Sequence, residues 1–331
     1  MLHISRETWT LKKPFVIARG SRTETQVIKV EISVAGHTGR GESCPTARYG
    51  ESVDGVYQQI NAASQKICST INQDENRQGL LDILPAGAAR NAIDCALWDL
   101  EAKQKNTTVS ELLGFPYPDN IHTVQTISIG SAEAMGAAAG KLSSFPMLKV
   151  KLNAENIVQR IKAVHRHAPE AKLLIDANES WDIDLLKAVA PQLAGLGVVM
   201  IEQPLPADED DKLNGYQSPL PLGADESCHT SQDVERLAEL YDVINIKLDK
   251  TGGLTEALKL EAKARSAGLD IMVGCMLGTS LAMAPAMVLA PQATYVDLDA
   301  PALLSADREC GLTVDNGEMS RLNEQLWGGV K

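Results

Sequence analysis

The chain has 331 residues, enough to bury a substantial core as one large α/β barrel with additions or as two domains. Hydrophobic residues make up 44% and aromatics only 4%, a composition that suits parallel strands buried on both faces better than an antiparallel sandwich. The net charge of −12, with no basic stripe, argues against a nucleic-acid-binding surface.

The first 20 residues contain no continuous apolar stretch, and no run of eighteen apolar residues occurs anywhere. Neither a signal peptide nor a membrane span is expected. Six scattered cysteines (Cys44, Cys68, Cys95, Cys228, Cys275, Cys310) form no C-x-x-C pair. They predict free thiols in a cytoplasmic protein, not a zinc site or a disulfide framework.

Residues 1–115 read as a small α+β unit. TQVIKVEISV (25–34) is a strand candidate and HTGRGESCP (37–45) a Gly-rich turn. Helices are predicted near 52–72 and over 85–105, where Ala89, Ile93, Ala96, Leu97 and Leu100 recur at helical spacing. Gly114, Pro116 and Pro118 mark a boundary. From Ile121 the pattern alternates. Strand candidates lie at 121–129, 147–152, 172–177, 197–203, 221–225, 243–248, 270–275 and 294–298, with helices such as 156–169, 182–196 and 254–268 between them. This predicts a (β/α) barrel over 116–304, with the Gly-rich segment 305–331 folding back onto the N-terminal unit.

Five of the apolar runs end in charge, in the order lysine, acid, acid, acid, lysine. They are MLKVKL (Lys149, Lys151), LLIDAN (Asp176), VVMIEQP (Glu202), LGADES (Asp225) and VINIKLDK (Lys247). The spacing from Lys149 to Lys247 runs in steps of about 22–27 residues, the length of one strand-plus-helix unit. The charges therefore fall at the same end of neighbouring parallel strands, where barrels carry their chemistry. Three carboxylates there suit a hard cation such as Mg²⁺ or Mn²⁺. Any one of them alone reads as an ordinary strand-end acid capping a helix. Three on consecutive strands, flanked by lysines, read as a site for removing a proton next to a carboxylate.

An inward lysine is costly unless paired. Lys151 and Lys247 flank the acids in strand order, and closing the barrel brings them to opposite faces of one substrate. Structural ion pairing and the Schiff-base lysine of an aldolase are the competing readings. The doubled lysines and the acid cluster count against the aldolase. On the last strand Asp297 and Asp299 share a face. His165 and His167 fall on a predicted solvent-facing helix, His229 has no metal-spaced partner, and KTGG (250–253) lacks the full phosphate-loop pattern.

These residues carry a resemblance that spans nearly the whole chain. KVK (149–151), DAN (176–178), EQP (202–204), DES (225–227), NIKLDKTGG (245–253), GCM (274–276) and DLDAP (297–301), with the helix ARNAIDCALWDLEAKQ (89–104), resemble the enolase superfamily in its muconate-lactonizing subgroup. The closest likeness is to dipeptide epimerases acting on L-Ala-D/L-Glu. The resemblance implies an α+β capping domain over a (β/α)7β barrel. It implies Mg²⁺ on Asp176, Glu202 and Asp225, and acid/base lysines at Lys151 and Lys247, with Lys149 assisting.

By the same resemblance the reaction is epimerisation at the α-carbon of a dipeptide's C-terminal residue, by two-lysine proton transfer through a metal-stabilised enolate. Asp297 and Asp299 would bind the free ammonium group. An arginine of the loop 14–24, Arg22 in preference to Arg19, would bind the glutamate side chain. Recycling of cell-wall peptides is the implied setting, and a homo-oligomer is compatible with it. Within the subgroup, o-succinylbenzoate synthase or cycloisomerase chemistry and N-acylamino acid racemisation are alternatives. A non-catalytic binding relative is the alternative from another class, and the complete charge set speaks against it.

Overall fold

The computed structural model describes residues 1–71, 76–115 and 121–329. Strands β1 (Leu2–Ile17), β2 (Gly20–Val34) and β3 (His37–Ser43) form an antiparallel sheet in that order. Helices α1 (Val53–Ile71), α2 (Asn76–Ile83) and α3 (Ala88–Gln104) follow. The sheet and helices enclose their own core, with Ile28, Val30 and Ile32 packed against Ile60, Ile93 and Leu97.

Two expectations are corrected here. The Gly-rich segment 37–45 is a strand through Ser43, not a turn. Its glycines serve packing instead: a Cβ at Gly39 or Gly41 would lie 2.1 Å from the carbonyl oxygens of Ala96 or Ala92 on α3. The turn itself falls at Ala35 and Gly36, both at positive φ. The expected loop 14–24 is largely the tip of the β1–β2 hairpin, with Phe15 opposite Arg22 and Ile17 opposite Gly20.

Eight parallel strands build the barrel: Gln125–Ile127, Met147–Lys151, Lys172–Asp176, Val198–Glu202, Leu222–Ala224, Val243–Ile246, Asp270–Gly274 and Tyr295–Asp297. Each pairs with its sequence neighbours, and the Val124 amide donates to the Val296 carbonyl, joining the last strand to the first. Helical crossovers such as Ile157–His167, Ile183–Ala194 and Leu254–Ser266 cover the outside. Burial on both faces explains the near-continuous Val, Ile and Leu runs. The expected strand 121–129 is divided. Ile121–His122 joins a separate small sheet with the C-terminal hairpin Val314–Asp315 and Glu318–Met319, and Gln125–Ile127 alone enters the barrel.

The two units meet along α3. Arg90 donates to the carbonyls of Thr251 and Gly252, and Asp94 accepts from the backbone and hydroxyl of Thr255, at the start of a barrel helix. KTGG thus serves as a seam. Gly253 adopts φ +112, and a Cβ there would lie 2.4 Å from Asp94. The C-terminal segment also contacts the N-terminal unit: Trp327 Nε1 donates to the Cys95 carbonyl, and the Gly328 amide to Asp99. Pro116 and Pro118 lie outside the described residues. No helix among the described residues is long and apolar enough to cross a membrane.

Candidate active site

The strand register sets the site. Lys151, Asp176 and Glu202 are the last residues of their strands and stand level, Lys151 opposite Asp176 and Asp176 opposite Glu202. Asp225 and Lys247 each follow the last residue of the next two strands. Lys151 ends strand two and Lys247 follows strand six, diametrically opposed in a closed ring of eight. The three acids occupy the arc between them, and Asp297 on strand eight closes the other side.

All of these groups are buried and paired. Lys149 Nζ reaches Asp297 Oδ2 at 2.6 Å, Glu202 Oε2 at 2.7 Å and Asp176 Oδ2 at 3.1 Å. Lys151 Nζ lies 2.5 Å from Asp176 Oδ2, and Lys247 Nζ 2.6 Å from Asp225 Oδ2. Burial by itself would lower the Lys149 and Lys247 ammoniums, but the facing carboxylates outweigh it and hold both above the ordinary range. Burial would likewise raise Asp176, and Lys151 and Lys149 reverse it. Asp225 is held low against its burial by Lys247 and Lys250. Glu202 differs: burial and the neighbouring Asp176 charge exceed the help from Lys149, and its carboxyl is pushed up to about 7.

The residues beside the charged ones in each motif orient them. Asn245 Nδ2 donates to Glu202 Oε1 at 2.6 Å, and only a glycine at 274 leaves room, since a Cβ there would lie 2.4 Å from Asn245 Oδ1. Gln203 Oε1 accepts from the amides of Asp225 and Ser227, pinning the DES turn. The Asn178 amide donates to Asp176 Oδ1. Lys250 is buried and donates to Asp225 Oδ1 at 2.7 Å and to the carbonyls of Asp225 and Asn245. It was not singled out by sequence because it lies past the strand, in the short helix Leu248–Thr251.

The set fits a hard cation. Among the described residues, four buried acceptor atoms around the acids carry no hydrogen bond: Glu202 Oε2, Asn178 Oδ1, Asn245 Oδ1 and Glu226 Oε2. Glu202 Oε2 has the Lys149 ammonium at 2.7 Å, but not in hydrogen-bond alignment. Such a surplus of buried oxygen acceptors calls for positive charge. The three carboxylates do not yet converge as a ligating group, because Lys149 bridges Asp176 to Glu202 while Lys247 and Lys250 hold Asp225.

Above the acids lies a cavity of about 460 Å³, walled by both units. Lys149, Lys151, Asp225 and Lys247 form its floor, Asp297, Asp299 and Cys275 one side, and the β1–β2 tip with the turn Ala47–Tyr49 its roof. Asp299 accepts from the Thr126 amide at 2.7 Å and from Gln125 at 3.2 Å. Burial and the Asp297 charge push its carboxyl up to about 7. The two loop arginines part company. Arg19 is bound to Glu226 and Glu179, whereas the side chain of Arg22, exposed at the cavity wall, makes no ion pair or hydrogen bond among the described residues. Glu226, Glu179, Arg48 and Tyr49 were missed by sequence reasoning. Glu226 directly follows Asp225, but alternation along the chain gives no sign that it too is buried.

Residues 1–114 match the family described as "Mandelate racemase / muconate lactonizing enzyme, N-terminal domain", and residues 130–321 that described as "Enolase C-terminal domain-like". The chain is 46% identical to the L-Ala-D/L-Glu epimerase of Escherichia coli K12, covering 96% of this chain and 98% of that protein. It is 47% identical to an N-acetyl-D-glutamate racemase of a Pseudoalteromonas species, over 92% and 96%. Among solved structures, an Agrobacterium tumefaciens enolase family member with homology to dipeptide epimerases, bound to sodium and L-Ala-L-Glu, superposes with a TM-score of 0.95 at 42% identity, covering 99% of both chains. The dipeptide epimerase of Enterococcus faecalis V583, complexed with Mg and L-Leu-L-Tyr, superposes at 0.91 with 30% identity, over 99% and 98%. The chain belongs to the mandelate racemase/muconate lactonizing enzyme family of the enolase superfamily.

Proposed function

We propose that this protein is a Mg²⁺-dependent dipeptide epimerase that interconverts L-Ala-D-Glu and L-Ala-L-Glu. The observation that carries the reading is the placement of Lys151 and Lys247 on opposed barrel strands, with Asp176, Glu202 and Asp225 between them. A carbon next to a carboxylate is a very weak acid, because loss of its proton adds a second negative charge to the carboxylate oxygens. Asp176, Glu202 and Asp225 would hold Mg²⁺, whose charge would offset the negative charge that develops there.

The chain's own residues do the rest. One lysine takes the α-proton from one face of the substrate, and the other delivers a proton to the opposite face, inverting the centre. Both are needed because inversion takes the proton from one face and returns one on the other, and the two exchange roles when the reaction reverses. Lys149, locked among Asp176, Glu202 and Asp297, keeps a fixed positive charge beside Lys151. Asp297 and Asp299 face the cavity where the substrate ammonium group would lie. Arg22 is the cation for the second carboxylate, which the acidic floor would otherwise repel.

Residues 1–115 with 305–331 act as the cap and 116–304 as the catalytic barrel, in a cytoplasmic enzyme. Incubation with a dipeptide panel in D₂O, read by mass and chirality, tests the assignment. L-Ala-D-Glu should invert with gain of one deuterium, lose activity in EDTA and regain it with Mg²⁺. Inversion in metal-free protein, or none with any dipeptide, overturns it.

Racemisation of N-acylated glutamate is a second reading. It is favoured by the Lys149–Asp297 pair and the Thr126 contact to Asp299, which occupy part of the carboxylates assigned to the ammonium group. Equal turnover of N-acetylglutamate and the free dipeptide would put it first.

A further inference from the structure

We propose that Arg19 and Glu179 are positioning residues that latch the β1–β2 hairpin over the cavity and so hold Arg22 in place. The hairpin is tied to the barrel on its near side by backbone bonds. Ser305 donates to the Thr10 carbonyl and Ile129 to that of Val16. Beyond Val16 the tip reaches across the cavity. Among the described residues, Arg19 makes the hydrogen bonds and ion pairs by which residues 18–22 touch the far side. Its guanidinium lies 2.7 Å from Glu226 Oε1 and 3.1 Å from Glu179 Oε2, and donates to the Asn178 carbonyl at 3.1 Å.

All three acceptors stand beside the acids of the site. Glu226 follows Asp225, and Asn178 and Glu179 lie two and three residues after Asp176. The Glu226 side chain is 1% exposed. Apart from Arg19 its nearest hydrogen-bond donor among the described residues is the Asn178 side chain, through Nδ2 at 3.4 Å. A buried carboxylate stripped of its cation is strongly disfavoured, so Arg19 is committed to this contact and not to a substrate.

Glu179 is the joint of the arrangement. Arg48, from the roof turn Ala47–Tyr49, grips it through Nε at 2.6 Å and Nη2 at 2.5 Å, while Arg19 takes one of the same oxygens from the hairpin. One carboxylate therefore holds both cap segments that roof the cavity. It is placed by backbone in the left-handed region, φ 45° at Asn178 and 66° at Glu179, which a glutamate adopts only when its surroundings impose it. Three residues after Arg19, Arg22 then faces the cavity, its guanidinium unpaired among the described residues.

Cys275 lies half-buried in the cavity wall and reports whether the roof is closed. The experiment is alkylation of the whole protein without substrate, with labelling at each cysteine followed by peptide mass spectrometry. Arg19→Met and Glu179→Gln should each speed labelling of Cys275 about ten-fold, the effect of losing one charge-assisted contact. The double variant should add little to either. Arg22→Met should leave that rate within two-fold of wild type.

In turnover, KM for L-Ala-D-Glu should rise in both latch variants by more than kcat falls. The buried Cys95 and Cys228 are internal controls for unfolding. If Arg19→Met exposes them, Arg19→Lys and Glu179→Gln decide the matter, the lysine giving a smaller rise at Cys275. Labelling of Cys275 at the wild-type rate in folded latch variants overturns the proposal. Because labelling needs no turnover, that result would leave the proposed epimerase activity standing, and loss of the activity would leave the latch standing.

Discussion

The barrel floor and the hairpin roof face the same cavity but are built in opposite ways. On the floor, every charged group is buried, and each sits within two residues of the end of a strand whose neighbours fix its height. Asn245, Gln203 and Lys250 then orient the acids by direct hydrogen bonds. On the roof, Arg22 is exposed on a two-stranded tip, and its position depends on a few ion pairs around Glu179. The contrast separates chemistry from selection. Proton transfer needs groups fixed within hydrogen-bond reach, which strands supply. Choice of substrate side chain needs a group that can withdraw and close, which a hairpin supplies.

The comparison can be broken at either end. On the floor, Lys151→Ala or Lys247→Ala should lower the epimerisation kcat by about 10²–10⁴, the range for loss of a general acid or base. Steady-state rates within ten-fold of wild type would remove the lysines from the reaction. Asp297→Asn should lower kcat/KM for L-Ala-D-Glu by about one to two decades, and far less for an N-acylated analogue, as expected for a buried charge-assisted contact. Equal losses on both would assign Asp297 to holding Lys149 alone.

On the roof the effects are smaller and fall on binding. Arg22→Met should raise KM for L-Ala-D-Glu by about ten-fold while sparing dipeptides with neutral second residues. Unchanged preference for Glu over Gln would place the carboxylate against another group. The smallest effect concerns the seam between roof and floor. Burial of Asp94 on α3, opposed by bonds from Thr255, pushes its carboxyl up to about 6. The unfolded value is about 3.9. The stabilisation linked to its protonation is therefore complete below the unfolded value and is lost as pH rises through about 6. The thermal midpoint of the metal-free protein should rise between pH 7 and pH 5, and Asp94→Asn should flatten that rise. An identical pH profile in the variant would show that Asp94 does not govern the seam.

The same division explains what could be read from sequence. The floor was legible because burial on both strand faces leaves apolar runs, and a charge closing such a run has one place to go. The order Lys151, Asp176, Glu202, Asp225, Lys247 therefore gave both the ring and its polarity. The roof was less legible. HTGRGES looks like a turn because Gly39 and Gly41 are small for α3, which is a tertiary contact with no local signature. The latch pairs residues 160 apart, Arg19 with Glu179, and nothing in either neighbourhood marks the partner. Lys250 was hidden for a related reason, since a lysine in a short helix reads as solvated until the barrel closes around it.

The central claim is that Lys151 and Lys247 serve opposite faces of one α-carbon. Each alanine variant should be incubated in D₂O separately with L-Ala-D-Glu and L-Ala-L-Glu, with α-proton loss followed by NMR. Each variant should exchange the α-proton of one epimer only, far faster than it inverts that centre, and the two variants should select opposite epimers. Exchange of the same epimer by both variants, or inversion within ten-fold of the wild-type rate in either, would contradict the two-base assignment.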